Sequence, residues 1–458
     1  MPTICIPLLG KGATNHLHKP AIADEFRKRG YDVLFLVRDD YKDLLKPLEG
    51  CSYAAYTIPR FQGWVGWCFD LCLQLRYQYP SADPWRRWRH KTVCELTPRW
   101  TGRFFQNLVF ALASSRRVMQ FVTRMEGWLY RRFDNARDLD ALPIDRLLVL
   151  GVGTWADNVA SRITWWALRN NKPIVHFIGN YDGLSSKGFR GHPVRKVLVW
   201  GQRMKEDALH LQGIKAECVV EIGSLRYNMI PPRETRSKTA FFEKIGFDAA
   251  ATTLAFAGSA YDYQYFEMLK VFELLKKQLP GKLQLILRVY PAKNLLDSPQ
   301  MSFLINYARQ QPDVWISSGD PNYDKRTGNE EVLQIDEDDL WNILQFSDVV
   351  VNIFSTLTLE ACIFDKPVIN MWYFWPVARA LRQPIYYPYP ETLHIRRVME
   401  SGAAPMAETR AQLVAAIIEA VNNPQALGEE RRRLTIMECG VLDGRAVERL
   451  VDIVGERR

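Results

Sequence analysis

Residues 346–372, FSDVVVNIFSTLTLEACIFDKPVINMW, constrain the fold more than any other stretch of the chain. An apolar, β-branched run from Val349 to Ile353 stops at Ser355 and Thr356. A helix-period segment carrying Glu360 follows, and a second apolar run resumes at Pro367. Two short buried runs joined by a helical crossover pair most simply as parallel strands. Runs apolar at nearly every position belong to a sheet covered on both faces. The segment therefore predicts a strand, a turn the size of a phosphate, a helix and a parallel strand. Ser355 and Thr356 are expected at the helix N-cap, where unpaired backbone N–H groups and the positive end of the dipole attract anions. Glu360, one turn further in, is expected within reach of a sugar hydroxyl beside such an anion. The pattern suits a nucleoside diphosphate, and it equally describes an ordinary βαβ unit with a serine cap.

The same rhythm runs through the rest of the chain. Residues 3–9 read as a first strand, the polar GKGATNHLHK as a turn, 20–29 as a helix and 31–37 as the next strand. Strands are expected at 145–150, 173–178, 196–200 and 217–223, with helices between, including one over 156–170. Beyond a Pro-rich, charged stretch a second series begins. Its strands are expected at 252–259, 282–291, 314–319 and 332–335, its helices over 262–279, 299–310 and 337–346. The prediction is an α/β protein of two doubly wound, Rossmann-like domains facing a cleft. Residues 1–228 form the first, 229–250 a linker, 251–425 the second, and 426–458 C-terminal helices packing back towards the first. At 458 residues the chain is long enough for each domain to hold its own core.

The stretch 60–132 breaks the rhythm. It holds 13 Lys/Arg against four acidic residues, which accounts for the whole net charge of +9. It also holds six tryptophans, at 64, 67, 85, 88, 100 and 128. The expected form is a helical, aromatic-basic insertion in the first domain. Its composition suits an anionic membrane surface, where Trp and Arg both partition well, and equally suits a helical subdomain with solvated arginines. No nucleic-acid reader motif accompanies the basic residues. No run of roughly 18 apolar residues predicts a spanning helix. The eight scattered cysteines contain no CxxC pair and, with no export signal read at the N-terminus, predict a reducing, cytoplasmic setting. The localisation expected is cytoplasmic and peripheral on the inner face of the plasma membrane.

Several polar positions in the second domain follow strands directly and so share one sheet edge. They are Gly258 and Ser259, Arg288 and Lys293, and Ser355 with Thr356 and Glu360. Gly258 would let a phosphate approach the backbone, Ser259 could donate to it, and Arg288 or Lys293 could neutralise a diphosphate. The 332–335 strand would offer main-chain groups to a base. The acidic run 336–339 opens a helix and reads as a dipole-favoured start rather than a metal cluster, so no metal is expected.

Four stretches carry a resemblance: 197–228, the loop NYDGLSSKG at 180–188, STLTLEACIFDKPVIN at 355–370 and LDGRAVERLVDIV at 442–454. In these the chain resembles GT-B glycosyltransferases of the bacterial surface-polysaccharide kind. More distantly it is similar to CDP-glycerol glycerophosphotransferases and UDP-N-acetylglucosamine 2-epimerases of the same fold. The resemblance implies transfer of a sugar from a nucleotide-activated donor, held by the second domain through Gly258, Ser259, Arg288, Ser355, Thr356 and Glu360. The acceptor would be a glycan or a polyprenol- or other lipid-linked molecule, and the nucleotide sugar would enter as a substrate, with no cofactor. A glycerophosphotransferase, a sugar-nucleotide epimerase and a non-catalytic GT-B scaffold are the alternatives. The chain departs from the glycerophosphotransferase pattern in having Arg288, Val289, Tyr290 and Pro291 where those enzymes place a His beside Pro.

Inverting transfer needs a base for the acceptor hydroxyl. Candidates on the first domain's cleft edge are Asp182, in the 180–188 loop with Lys187, and His16 and His18, after the first strand. Asp157, opening the 156–170 helix, is a further catalytic candidate. Asp182 could instead organise its loop, His16 could be a structural hydrogen-bonder, and Asp157 could complement the helix dipole.

Overall fold

The computed structural model describes residues 1–39, 45–56, 61–80, 83, 86–87, 90–91, 94, 100–151, 157–189, 191–259, 261–290, 298–318, 337–373 and 391–456. Two compact units account for them. One comprises Met1–Met229, Glu391–His394 and Ile436–Arg458, the other Ile230–Pro390 and Ile395–Thr435.

In the first unit, seven parallel strands lie in the order β3-β2-β1-β4-β5-β6-β7. They are β1 Thr3–Leu8, β2 Asp32–Arg38, β3 Ser52–Tyr56, β4 Arg146–Leu150, β5 Ile174–Phe177, β6 Lys196–Val199 and β7 Val219–Glu221. β1 is buried at all six positions, as a strand covered on both faces must be. Helix Pro20–Lys28 buries Ile22, Ala23 and Phe26. Helix Ala446–Gly455 joins the same unit: Asp452 lies beside Arg29 at 2.5 Å, and the Tyr31 hydroxyl donates to the Gly455 carbonyl at 3.0 Å.

One expectation is corrected. The stretch after β1 is not a turn but a helix, Lys11–Leu17, with Ala13 and Leu17 buried one turn apart. Burial of that face overrides the Gly- and Asn-rich local composition.

The 60–132 stretch is helical where described. Helices Gly63–Gln78, Trp100–Leu112 and Arg116–Phe133 build a small core of their own from residues such as Phe69, Cys72, Val109, Met119 and Leu129, closed by Phe189. Two buried ionic clusters fasten this subdomain to helix Asp157–Arg169 of the α/β layer. Arg162 bonds both oxygens of Asp134, both of Asp138 and the Tyr56 hydroxyl. Arg76 meets Glu126 at 2.8 Å, Ser161 at 2.9 Å and His192 at 3.1 Å.

In the second unit, six parallel strands run in the order β10-β9-β8-β11-β12-β13. They are β8 Thr252–Ala257, β9 Leu283–Arg288, β10 Val314–Ser317, β11 Val349–Asn352, β12 Val368–Met371 and β13 Met406–Ala407. Their apolar side chains pack with Tyr265, Met268 and Phe272 of helix Asp262–Leu275 and with Leu413 and Ile417 of helix Arg410–Asn422. Within the stretch read as a linker, Lys238–Ile245 is a helix whose Phe241 and Phe242 rings lie 6.0 and 6.4 Å from the Phe346 ring. The strand expected at 332–335 falls outside the described residues.

Candidate functional site

The order of the second sheet reverses between β8 and β11. In such sheets the crevice beyond the carboxyl ends of the two strands flanking that reversal is where ligands bind. Register places Ser317, Arg288, Ala257, Asn352 and Asn370 side by side across five adjacent strands, at their carboxyl ends. Paired residues of parallel strands project to the same face. Arg288 is 6% exposed and donates to the Ser317 hydroxyl. The end of β8 thus stands beside the end of β11, and Gly258, Ser259, Ser355 and Thr356 are the residues that leave those ends.

A polar lattice underlies the turn after β11. The Asn352 side-chain amide donates to Thr358 Oγ1 at 2.8 Å, and Thr358 Oγ1 donates to Asn370 Oδ1 at 2.9 Å. Ser355 Oγ donates to Asn352 Oδ1 at 3.0 Å and accepts from the Leu357 N–H at 3.2 Å. The Phe354 N–H donates to Asn370 Oδ1 at 3.3 Å, holding Phe354 at φ +39°, a left-handed conformation costly for a bulky side chain. Thr356 is the N-cap residue of helix Leu357–Ile363, and Ser355, one residue earlier, supplies the side-chain oxygen. Ser355 is exposed, Thr356 half-buried and Glu360 buried. Asn352, Thr358 and Asn370 were not singled out in the sequence. The signal that could have found the two asparagines is a polar residue at or near the end of each of two apolar strands.

At β8 the detail differs from expectation. Ser259 directs both its N–H and its hydroxyl to Gln264 Oε1, at 2.8 Å each, rather than outward. A Cβ on Gly258 would come within 2.6 Å of the Tyr265 ring, so glycine is required here by packing. The buried Tyr265 hydroxyl donates to the Ser259 carbonyl at 3.0 Å and accepts from the Tyr290 N–H at 2.9 Å, tying the ends of β8 and β9 together. Lys293 lies outside the described residues.

In the first unit the reversal falls between β1 and β4. His16, in the helix that follows β1, is 8% exposed and stands edge-on to Phe177 at 6.2 Å. A Cβ at Gly179 would meet its ring at 2.9 Å, so His16 packs against the start of the loop that follows β5. That loop carries Asp182, whose Oδ2 pairs with Lys187 at 3.1 Å and accepts from the Ser186 hydroxyl at 3.2 Å. Burial alone would raise the Asp182 carboxyl, but the Lys187 charge, that of His394 and the Lys187 and Ser186 hydrogen bonds together hold it below the ordinary carboxylate range. His18 bonds the Tyr53 hydroxyl at 2.8 Å, and burial, with Lys19 nearby, lowers its pKa. The Tyr53 hydroxyl also accepts from the Leu48 N–H at 2.8 Å, which leaves its proton for an uncharged His18. Asp157 begins helix Asp157–Arg169.

A cavity of about 300 Å³ lies away from the strand ends, between helices Arg116–Phe133 and Asp157–Arg169. Arg131, Arg162, Trp165 and Trp166 are among its lining residues. Among the described residues no group of three or more His, Cys, Asp or Glu is arranged to hold a metal ion.

No protein-family model matches the chain, and no curated protein matches its sequence. Solved structures do match. The wall teichoic acid polymerase TagF aligns with a TM-score of 0.51 at 10% identity, over 99% of this chain and 88% of that one. The MnaA–UDP complex from S. aureus aligns with a TM-score of 0.53 at 12% identity, over 99% and 96%. A Listeria monocytogenes protein assigned as a UDP-N-acetylglucosamine 2-epimerase gives 0.52 at 11%, over 99% and 96%. These neighbours share the GT-B fold, and the present chain, with its two parallel, doubly wound sheets, has that fold as well.

Proposed function

We propose that the chain is a glycosyltransferase that moves a sugar from a nucleotide-activated donor to a glycan or lipid-linked acceptor of a surface polysaccharide. The observation that carries this reading is the turn beyond β11. At the strand-order reversal, a left-handed Phe354 and the exposed Ser355 are held by a buried lattice of Asn352, Thr358 and Asn370. Buried Arg288 stands in the same row of strand ends. Backbone strain kept in place by surrounding hydrogen bonds marks a turn built to receive something. A pyrophosphate matches what the edge offers, namely the backbone of the turn and a guanidinium. UDP is bound by the MnaA neighbour, which supports a nucleotide ligand for this fold.

For the acceptor side, the depressed Asp182 is poorly matched to taking a proton near neutral pH and well matched to holding Lys187 and its own loop. We assign the base role to His16. No metal enters the scheme: the departing diphosphate would be neutralised by Arg288 and the dipoles at the β11 turn.

The test is thermal-shift titration with UDP, GDP, CDP and ADP on the wild type and on Arg288→Ala, Glu360→Ala and His16→Ala. One nucleotide should stabilise the wild type, Arg288→Ala and Glu360→Ala should lose that stabilisation, and His16→Ala should keep it while losing turnover. No response to any nucleotide would refute the reading. A donor that changes under NMR with no acceptor present would identify an epimerase instead, and a glycerol phosphate product from CDP-glycerol a glycerophosphotransferase.

A further inference from the structure

Among the described residues thirteen large hydrophobic side chains are exposed, and eight of them lie on the three helices of the 60–132 subdomain. Four of its tryptophans lie outside the subdomain core: Trp64, Trp67, Trp100 and Trp128 are 61%, 57%, 78% and 51% exposed. Smaller apolar residues form the core, leaving the indoles outside.

Their placement is ordered. On helix Arg116–Phe133, Arg117, Phe121, Arg124, Trp128 and Arg131 are all exposed, at spacings of four, three, four and three. At 3.6 residues per turn they fall within one stripe about 80° wide. The single acid of that helix, Glu126, is buried against Arg76, so the stripe carries positive charge and aromatic surface with no counter-charge of its own. Trp64 of helix Gly63–Gln78 and Trp128 both pack edge-on against Phe133, at 5.2 and 5.9 Å, with the Arg132 guanidinium 5.7 Å over the same ring. The exposed faces of two helices therefore meet in one aromatic-basic corner. Helix Trp100–Leu112 has no acidic residue and a single buried position, Val109, and exposes Trp100, Phe104 and Leu108 at four-residue spacing.

We infer that this subdomain is a membrane-docking surface, and that its occupant is an anionic phospholipid bilayer, which the helices enter to headgroup depth. Charge decides the occupant. Along Arg116–Phe133 indole and guanidinium side chains interleave with no exposed carboxylate, and Asp70 is the one exposed acid on the three helices, a balance that matches a surface of phosphates over acyl chains. No described helix is long and apolar enough to cross a membrane, so the association would be peripheral. The inference is independent of the nucleotide reading.

Sedimentation of the full-length protein with phosphatidylcholine vesicles, and with vesicles containing one quarter phosphatidylglycerol, tests it. The wild type should bind the anionic vesicles at low salt, much less at high salt, and the neutral ones weakly. Neutralising Arg117, Arg124 and Arg131 together to Gln should lower the partition coefficient about a hundredfold, at roughly fivefold per charge. Phe121→Ser with Trp128→Ser should weaken binding and reduce the tryptophan fluorescence quenching by brominated acyl chains, leaving the share reported by Trp64. All five positions are exposed, so melting temperatures should stay near wild type. Absence of binding to anionic vesicles at low salt, or unchanged binding by the arginine variant, would overturn the proposal. So would a self-associated protein that the Phe121 and Trp128 changes make monomeric without altering vesicle binding, since a second copy would then cover the face.

Discussion

At the scale of single residues, Glu126 shows how charge is handled inside the first unit. Its carboxylate is 2% exposed and meets Arg76 at 2.8 Å, the Trp165 N–H at 3.1 Å and His192 at 3.5 Å. Burial alone would raise its pKa, but Arg76 and then His192 outweigh it and hold the group at about 2, against an ordinary 4.5. The folded-state value is depressed, so the stabilisation is complete above about pH 5 and is lost as pH falls from 4.5 towards 2, where only the unfolded chain binds the proton. Urea midpoints measured across that interval should fall for the wild type and fall less steeply for Glu126→Gln. At pH 7 the same variant should be destabilised by about 3–5 kcal/mol, because a buried Arg76 is left without its counter-charge. An unchanged midpoint at pH 7 would mean that the cluster is not what fastens the helical subdomain. None of this was legible in the sequence: Arg76 and Glu126 stand on different helices, and their partners Ser161 and His192 come from beyond β4. Only the folded chain brings the four together. Asp182 was legible as a residue of interest and not as to role, because its pKa is set by Lys187, His394 and Ser186 acting jointly.

At the scale of elements, the apolar runs at 349–352 and 368–371 could be read directly because parallel strands covered on both faces admit little else. Helix Lys11–Leu17 could not, since its local composition favours a turn and only burial of Ala13 and Leu17 stabilises it. The turn at β11 lies between these cases. Ser355 and Thr356 announced it, whereas the residues that fix its shape, Asn352 and Asn370, lie within the flanking strands and carry no turn signal of their own. Thr358 is the hinge of that lattice, accepting from one Asn and donating to the other. Thr358→Val keeps the side-chain shape and leaves a buried donor on Asn352 and a buried acceptor on Asn370 short of their partner. Each such loss costs about 1–3 kcal/mol. The expected outcome is a loss of stability within the combined range, measured by denaturant titration, together with nucleotide stabilisation weakened beyond what the lower baseline explains. Weakening in proportion to stability alone would make the lattice purely structural.

At the scale of the whole molecule, each unit has its own parallel sheet, its own strand-order reversal and therefore its own place where a ligand could sit. What separates them is the polar equipment at the reversal. The second unit sets Arg288, Asn352 and Asn370 in one row of strand ends, while the first sets His16, packed on Gly179, and a loop in which Asp182 is paired with Lys187. An anionic nucleotide is attracted to the first set, whereas at the second the Lys187 charge is already taken up by Asp182 and the carboxylate itself offers an anion nothing. The basic residues around the 300 Å³ cavity offer a rival, but Arg162 there is already bonded to Asp134 and Asp138. Hydrogen exchange distinguishes these places. A nucleotide at one hundred times its dissociation constant slows exchange through opening of the unit that binds it by about a hundredfold. The slowing should fall on 254–257, 349–352 and 357–363, around the reversal of the second sheet. Protection confined to helices Arg116–Phe133 and Asp157–Arg169 would move the nucleotide to the Arg162 cavity. Arg288 and the β11 turn would then be left with an ordinary structural role, because a site defined by strand order must protect the strands that define it.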